Sequence, residues 1–132
     1  GIYFKVDIID LREKRFIDKF DIKSIEQVLD NIMSNSIRYT EKGESIKLNI
    51  LCKDDKIKFS IMDTGKGFSN EDLKNIFNKF YRGDKSRSFT TGHSGLGMYI
   101  AKTIVEKHGG NIKAENNSPK GGIIEFDIKP MQ

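Results

Sequence analysis

The spacing of hydrophobic residues predicts strands at the start of the chain, followed by a long helix. Residues 2–10 are apolar and β-prone, and residues 15–20 form a second such run after a charged turn. Asp21 can cap a helix over residues 22–39, because an Asp side chain accepts hydrogen bonds from the free amides of a first helical turn. The apolar stripe predicted for this helix consists of Ile25, Val28, Leu29, Ile32 and Ile37.

Further strands are predicted downstream. Residues 45–53 and 56–62 alternate between apolar and polar positions on either side of two aspartates, a pattern that indicates a hairpin. Residues 112–116 and 122–129 are the two closing strands, and they flank a turn. The Gly121-Gly122 pair fits such a turn.

Two more helices and a long loop complete the pattern. A weak helical period covers residues 71–77, and a strong one covers 96–108 and stops at a Gly-Gly pair. Residues 82–93 are polar and lack a hydrophobic period, which predicts a loop long enough to be functional or mobile. Because helices and strands come in runs rather than in strict alternation, we expect an α/β fold in which about three helices pack on one face of a mixed sheet of about five strands. This arrangement is a two-layer α/β sandwich.

Composition and charge indicate one ordinary globular domain. The chain has 132 residues, of which 36% are hydrophobic and 32% charged, so residues 1–132 can enclose a single core. The net charge of +4 comes from scattered lysines, and we therefore expect no nucleic-acid partner. Cys52 is the only cysteine, which excludes an internal disulfide and a cysteine-based zinc site. We expect it in the core or at the edge of a strand.

No apolar run approaches the roughly 20 residues that a membrane-spanning helix needs, and no signal-peptide pattern opens the chain. Any membrane attachment is therefore expected in parts of the parent protein that this chain does not contain.

Asn31 and Asn35 are four residues apart and therefore lie on one face of the first predicted helix. Asn is a modest helix former, so two of them beside the apolar stripe need an explanation. Both amides could face solvent or cap local backbone. Alternatively, Asn35 could offer its side-chain oxygen to a magnesium ion whose remaining ligands are waters and phosphate oxygens.

Asp63 follows a predicted strand directly and precedes Gly65 and Gly67. An Asp followed by glycines is also common in plain turns. A calcium loop is excluded, because its third position should be Asp or Asn and here it is Gly65. A carboxylate only accepts hydrogen bonds, so it suits the exocyclic amine of adenine and disfavours the carbonyl of guanine. The two glycines would let the backbone turn sharply and approach a base without a Cβ in the way.

Residues 94–98 read Ser-Gly-Leu-Gly-Met and lie where the predicted loop ends and a helix begins. Amides at the start of a helix can bind phosphate, with the helix dipole in favour of the negative charge. The segment is not a Walker loop, because no Gly-Lys-Ser/Thr follows, and it is not a dinucleotide fingerprint, because no strand precedes it. We therefore expect a phosphate site of another type.

Four segments, at residues 31–35, 63–67, 77–82 and 94–98, together resemble the ATP-binding catalytic domain of bacterial sensor histidine kinases. The resemblance extends from about residue 20 to residue 130. It implies a Bergerat-type sandwich in which the nucleotide lies between helices and sheet, under a mobile lid at about residues 82–93. It also implies ATP as substrate and Mg²⁺ as metal, with Asn35 as the metal ligand.

The resemblance also assigns roles to single residues. Asn35, Arg38 and Arg82 are expected to act in catalysis, with Arg38 and Arg82 on phosphate, while Tyr39 packs near the ribose. Phe77, Phe80 and Tyr81 could also be plain core aromatics, and Phe77 fits that role best. Gly121-Gly122 matches a weaker final glycine pair of the family, which a hairpin turn explains equally well. The expected nucleotide-binding set consists of Asn31, Asn35, Arg38, Tyr39, Asp63, Gly65, Gly67, Phe80, Tyr81, Arg82, Ser94, Gly95, Leu96 and Gly97. Two positions depart from the family pattern: Ser36 stands where Ala is usual, and His93 where Gly is frequent.

Related chaperone, topoisomerase and mismatch-repair ATPases have a Glu one turn before the metal Asn, where it activates water. Here that position is Asn31, which cannot take a proton at neutral pH. The resemblance therefore favours phosphoryl transfer to a histidine. Neither His93 nor His108 has the His-Glu or His-Asp context of a phosphoacceptor, and we expect His108 at a helix C-terminus.

The partners implied are a histidine-containing dimerisation domain of the same parent protein, through which the parent would be a homodimer, and a response regulator. The implied location is a cytoplasmic domain of a membrane-bound parent. A serine kinase that acts on an anti-sigma-factor antagonist and a nucleotide-sensing module without transfer activity remain alternatives. The aromatic pair Phe80-Tyr81 and the length of the predicted lid favour the histidine type over the serine type.

Overall fold

The computed structural model describes residues 1–10, 20–53, 56–81 and 95–130. The strand predicted at 15–20, apart from buried Phe20, and the lid predicted at 82–93 lie outside this part of the chain. The described residues form, in chain order, β1 (Tyr3–Asp10), α1 (Ile22–Tyr39), β2 (Ser45–Lys53), β3 (Lys56–Asp63), α2 (Asn70–Asn75), α3 (Gly97–Lys107), β4 (Ile112–Asn116) and β5 (Gly122–Ile128).

The strands form one mixed sheet in the order β1-β2-β3-β5-β4. β1 and β2 are parallel and are joined through α1, whereas β2, β3, β5 and β4 pair with their neighbours antiparallel. Helices α1 and α3 pack against each other and against β3, β4 and β5. This arrangement confirms the predicted two-layer α/β sandwich.

The core lies between the helices and the alternate, inward-facing residues of β3 and β5. Phe59 of β3 stacks on Phe126 of β5 with 4.6 Å between ring centroids. Val28 of α1 and Val105 of α3 are fully buried above these strands. Cys52 is buried in β2, as expected of a core residue. No helix in the described ranges is both long enough and apolar enough to cross a membrane.

Helix α1 has the predicted bounds because its start is defined locally. The Asp21 carboxylate accepts a bond from the Ser24 amide at 3.1 Å and thus caps the first turn. Helix α2 begins at Asn70, one residue before the predicted start, because the Ser69 hydroxyl caps it. It ends at Asn75, two residues before the predicted end.

The stripe predicted for α1 is wrong at one position. Ile37 is 44% exposed, whereas Ile32 is fully buried. Residues that share a helix face are three, four or seven apart. The buried face therefore continues from Ile32 to Asn35, Ser36 and Tyr39, and Ile37 turns away from it. The C-terminal half of α1 thus carries polar side chains at core positions.

Candidate functional site

A small cavity of about 20 Å³ joins residues from three distant parts of the sequence. Its walls come from the C-terminal half of α1, from the residues that follow α2, and from the start of α3 with Gly95 just before it. The lining residues are Asn31, Asn35, Arg38, Tyr39, Ile76, Tyr81, Gly95, Gly97 and Met98. Seven of the predicted nucleotide-binding positions, Tyr81 among them, therefore line this cavity.

Asn31 connects helix α1 to the start of α3. Its side-chain amide donates to the Gly97 carbonyl at 3.0 Å. Because this amide is already engaged, Asn31 holds the two helices together and has no group that could act as a base. Its role in nucleotide binding stays a prediction, and the contact observed is with the protein itself.

Asn35 has a different environment. It is 4% exposed, and its Oδ1 atom accepts no hydrogen bond from the described residues. A buried acceptor without a donor costs about 1–3 kcal/mol, so such an atom calls for a ligand. An amide oxygen suits a hard divalent cation that retains waters and phosphate oxygens as its other ligands. The described residues contain no cluster of three or more His, Cys, Asp or Glu that could hold a metal alone. A magnesium ion held by Asn35 would take its remaining ligands from phosphates and waters.

A larger depression of about 450 Å³ meets the small cavity at Arg38 and Tyr39. Tyr39 is 8% exposed, its ring and that of Phe68 pack edge to face with 5.6 Å between centroids, and the Lys66 ammonium lies 5.0 Å from the Tyr39 ring centroid. At the rim, Lys120 and Glu44 form an ion pair at 2.8 Å. The two depressions together run along the C-terminal half of α1.

Asp63 ends β3 and is only 3% exposed. Its Oδ1 atom accepts two backbone bonds, from Gly65 at 2.9 Å and from Gly122 at 3.0 Å. Burial raises the pKa of this carboxyl, and the two amide donors oppose the rise. Neither bond uses Oδ2, so in the described part of the chain this oxygen is the one that could accept from a ligand. Asp63 itself lines neither depression, whereas Gly65 lines the larger one.

Gly65 and Gly67 are both needed for internal packing, and their expected place beside a base stays a prediction. A Cβ on Gly65 would lie 2.0 Å from the Tyr39 carbonyl oxygen. Gly67 has φ +76°, and its Cβ would lie 2.8 Å from Asn116 Oδ1. The two glycines thus let the loop after β3 press against the end of α1 and against the turn between β4 and β5.

Two residues that support this loop were not singled out as site residues from sequence. Asn116 clamps Phe68, with its Oδ1 accepting from the Phe68 amide at 2.7 Å and its Nδ2 donating to the Phe68 carbonyl at 3.0 Å. Gly122, in the glycine pair that also fitted a plain hairpin turn, binds Asp63 directly. The Gly pair was the only signal, since a single Asn at a strand end is not distinctive.

Phe80 and Gly95 lie side by side, although 14 residues separate them in the sequence. The Phe80 amide donates to the Gly95 carbonyl at 2.9 Å, and a Cβ on Gly95 would lie 2.7 Å from the Phe80 carbonyl carbon. Phe80 has φ +63°, and its side chain is 65% exposed rather than in the cavity. Leu96 caps α3 and also lines neither depression. Arg82 and Ser94 lie outside the described residues.

The structure also locates Phe77 and His108, for which the sequence analysis gave expectations. Phe77 packs, partly buried, against the core. His108 is the C-cap of α3, as predicted, with Nδ1 2.8 Å from the Ile104 carbonyl and Nε2 3.6 Å from the Asp21 carboxylate. In this position, His108 joins the end of α3 to the start of α1.

Comparison with known proteins gives a consistent set of matches. A family model described as Histidine kinase-, DNA gyrase B-, and HSP90-like ATPase matches residues 20–132. Sensor histidine kinase WalK of Bacillus subtilis (strain 168) is 36% identical over 123 residues, which are 92% of this chain and 20% of WalK. Signal transduction histidine-protein kinase BaeS of Escherichia coli (strain K12) is 37% identical over 103 residues, 78% of this chain and 22% of BaeS. The chain thus spans about a fifth of the length of these relatives.

Among solved structures, a nucleotide-free form of the catalytic domain of histidine kinase ThkA is 27% identical, with a TM-score of 0.76. The match covers 99% of this chain and 82% of that domain. A structure of ThkA in complex with the response regulator protein TrrA matches with 27% identity and a TM-score of 0.74, over 98% of this chain and 34% of the matched chain. The predicted fold agrees with these structures over nearly its whole length.

Proposed function

The chain belongs to the histidine kinase-, DNA gyrase B- and HSP90-like ATPase family, and on that premise we propose that it binds Mg-ATP and transfers the γ-phosphoryl group to a histidine of a separate domain. The main support is the cavity in which the buried Asn35 Oδ1 atom, Arg38 and the first turn of α3 come together. An oxygen ligand, a cation and helix amides are the three kinds of group that bind polyphosphate.

Asn31 supports transfer rather than hydrolysis. An ATPase needs a group at the site that accepts a proton from the attacking water, and an amide cannot do so at neutral pH. The Asn31 amide is moreover bonded to the Gly97 carbonyl. An incoming histidine is itself the nucleophile and does not need a base at this position.

Different residues of the chain would bind different parts of the nucleotide. Asn35 would hold the magnesium ion, which when bound neutralises phosphate charge and orients the γ-phosphoryl group. Arg38 would bind phosphate, and Arg82 is proposed to do the same from the segment that follows Tyr81. At the other end, Asp63 Oδ2 would accept from the exocyclic amine of adenine, and Tyr39 would pack near the ribose. Gly95, Leu96 and Gly97 would offer backbone amides to the phosphates.

In the transfer, the bond between the γ-phosphorus and the β,γ-bridging oxygen breaks, and ADP leaves with the electron pair. A bond from an imidazole nitrogen of the acceptor to phosphorus forms, and the imidazolium proton is lost to solvent. The acceptor is proposed to be on the dimerisation domain of a homodimeric parent, since His108 is engaged at a helix end. The complex of ThkA with a response regulator supports such a regulator as the next partner. The names of the relatives as sensor proteins support a cytoplasmic domain of a membrane-bound parent.

A transfer assay tests the proposal. The chain is mixed with the purified histidine-containing domain of its parent and with γ-labelled ATP and magnesium. We expect acid-labile, alkali-stable label on that domain, as is typical of phosphohistidine. Nucleotide binding without label would favour a nucleotide-sensing module, and label on serine would favour the serine kinase alternative.

A further inference from the structure

Asp72 is a buried carboxylate that the proposed function does not use. It is 7% exposed and belongs to a capping box at the start of α2. Its Oδ2 atom accepts from the Ser69 amide at 3.0 Å, while the Asp72 amide donates to the Ser69 hydroxyl at 3.0 Å. A capping box needs only one carboxylate oxygen. The second oxygen therefore has a separate role.

That second oxygen binds Tyr81. The Tyr81 hydroxyl donates to Asp72 Oδ1 at 2.6 Å, a length typical of the strong hydrogen bonds made to ionised acceptors. Burial is the main cause that raises the pKa of Tyr81, and the bond to Asp72 raises it further, so the hydroxyl stays protonated at neutral pH. Tyr81 lines the small cavity together with Asn35 and Arg38.

Helix α2 also connects to the other end of the site. Ser69 follows Phe68 directly, and Phe68 contacts the Tyr39 ring and is clamped by Asn116. The start of α2 is thus fixed to the loop that follows Asp63. Through Asp72, the same helix start holds the wall of the cavity where the phosphates are proposed to bind.

We propose that Asp72 is a positioning residue: through the Tyr81 hydroxyl it holds the cavity wall beside Asn35 and Arg38 and so sets the affinity for the phosphate end of the nucleotide. This inference rests on the proposed function, because it takes the small cavity as the phosphate end. Asp72 touches no nucleotide and acts only through Tyr81.

The test compares two ligands on purified chain by calorimetry: a non-hydrolysable ATP analogue with magnesium, and ADP with a chelator. In Tyr81→Phe, which removes only the hydroxyl, we expect the affinity for the analogue to fall about tenfold, the lower end of what a hydrogen bond to a charged group is worth. The affinity for ADP should change less than about twofold, because the base end is unaffected. Tyr3→Phe is the matched control, since Tyr3 is 69% exposed on β1.

Variants of the capping box separate positioning from stability. Asp72→Ala should reproduce the loss of Tyr81→Phe, and the double variant should lose little more, because both remove the same bond. Ser69→Ala removes the other half of the box, so it should lower the melting temperature while leaving the ratio of the two affinities unchanged. Asp72→Asn has one side-chain oxygen for two donors, so when that oxygen accepts from the Ser69 amide, an NH₂ group faces the Tyr81 hydroxyl. We therefore expect its ratio of the two affinities to stay closer to that of Asp72→Ala than to that of the unsubstituted chain.

Two results would overturn the inference while the proposed function stands. One is a Tyr81→Phe variant with the same ratio of analogue affinity to ADP affinity as the unsubstituted chain. The other is a Ser69→Ala variant that changes this ratio as strongly as Asp72→Ala does. If the unsubstituted chain binds neither ligand, the proposed function and this inference are overturned together.

Discussion

Replacing Asp63 by Asn tests the recognition of adenine. Asp63 Oδ1 is held by the amides of Gly65 and Gly122, which leaves Oδ2 for a ligand. In the variant, the side-chain oxygen still serves the two amides, so an NH₂ group takes the place of Oδ2 and faces the exocyclic amine of adenine. The variant loses a hydrogen bond to a charged group, worth about 1.5–3 kcal/mol, which corresponds to about 10- to 150-fold in affinity for ATP.

The same change should leave the fold intact. Because burial raises the pKa of Asp63, the charged form is disfavoured in the folded state, and a neutral amide removes that cost. Calorimetry with ATP and GTP, beside thermal melting, therefore separates binding from folding. Asp30→Asn, the same change at an exposed position of α1, is the control. Two results would refute the assignment of Asp63 to adenine recognition: equal affinity of the unsubstituted chain for ATP and GTP, or an Asp63→Asn variant that binds ATP as tightly as the unsubstituted chain.

Three further predictions concern the metal, the packing of the site and the pH dependence of stability. Asn35→Ala should lose most of the magnesium-dependent part of ATP binding and keep its melting temperature, because it removes a buried oxygen without a described partner; equal magnesium effects in variant and parent would assign the metal elsewhere. Gly65→Ala should lower the free energy of unfolding in urea by about 1–3 kcal/mol or more, because its Cβ would lie 2.0 Å from the Tyr39 carbonyl oxygen; a parent-like value would contradict the packing described. The hydrogen bond from the Ser24 amide is the main cause that lowers the pKa of Asp21 below 3.8. The ionised Asp21 therefore stabilises the fold above that pH, and this stabilisation is lost as the pH falls through the folded pKa. In acid titration, Asp21→Asn should lose less stability than the unsubstituted chain, and identical profiles would show that Asp21 does not contribute to the acid sensitivity.

The sequence was sufficient for features with local causes. Helix α1 begins where Asp21 can cap it, and the ends of each described strand lie within one residue of those predicted from the local pattern. The position of β5 between β3 and β4 depends on pairing between distant segments, which periodicity does not contain. Ile37 was wrongly placed because its hydrophobicity was counted without its angle around the helix.

At the site, too, features with local causes could be predicted and features that depend on distant contacts could not. Asn31, Asn35 and Arg38 could be predicted to lie together because they share one helix face. The contact of Asn116 with Phe68 spans 48 residues and combines side chain with backbone, so no local pattern indicates it. Asp72 looks like an ordinary helix cap in the sequence, and only the fold brings the Tyr81 hydroxyl to its free oxygen. Gly65 and Gly67 were expected to let the backbone turn sharply beside a base, which stays a prediction; their close packing against Tyr39, Asn116 and Gly121 could not be read from the sequence.

The measurement that tests the central claim most directly is the transfer of γ-labelled phosphate from Mg-ATP to the histidine-containing domain of the parent protein. With the unsubstituted chain we expect label on a histidine of that domain, and with Asn35→Ala we expect strongly reduced labelling. Release of free phosphate as the main product, with no label on the acceptor, would contradict the account, because it would show that the site with Asn31 in place of a catalytic base hydrolyses ATP instead.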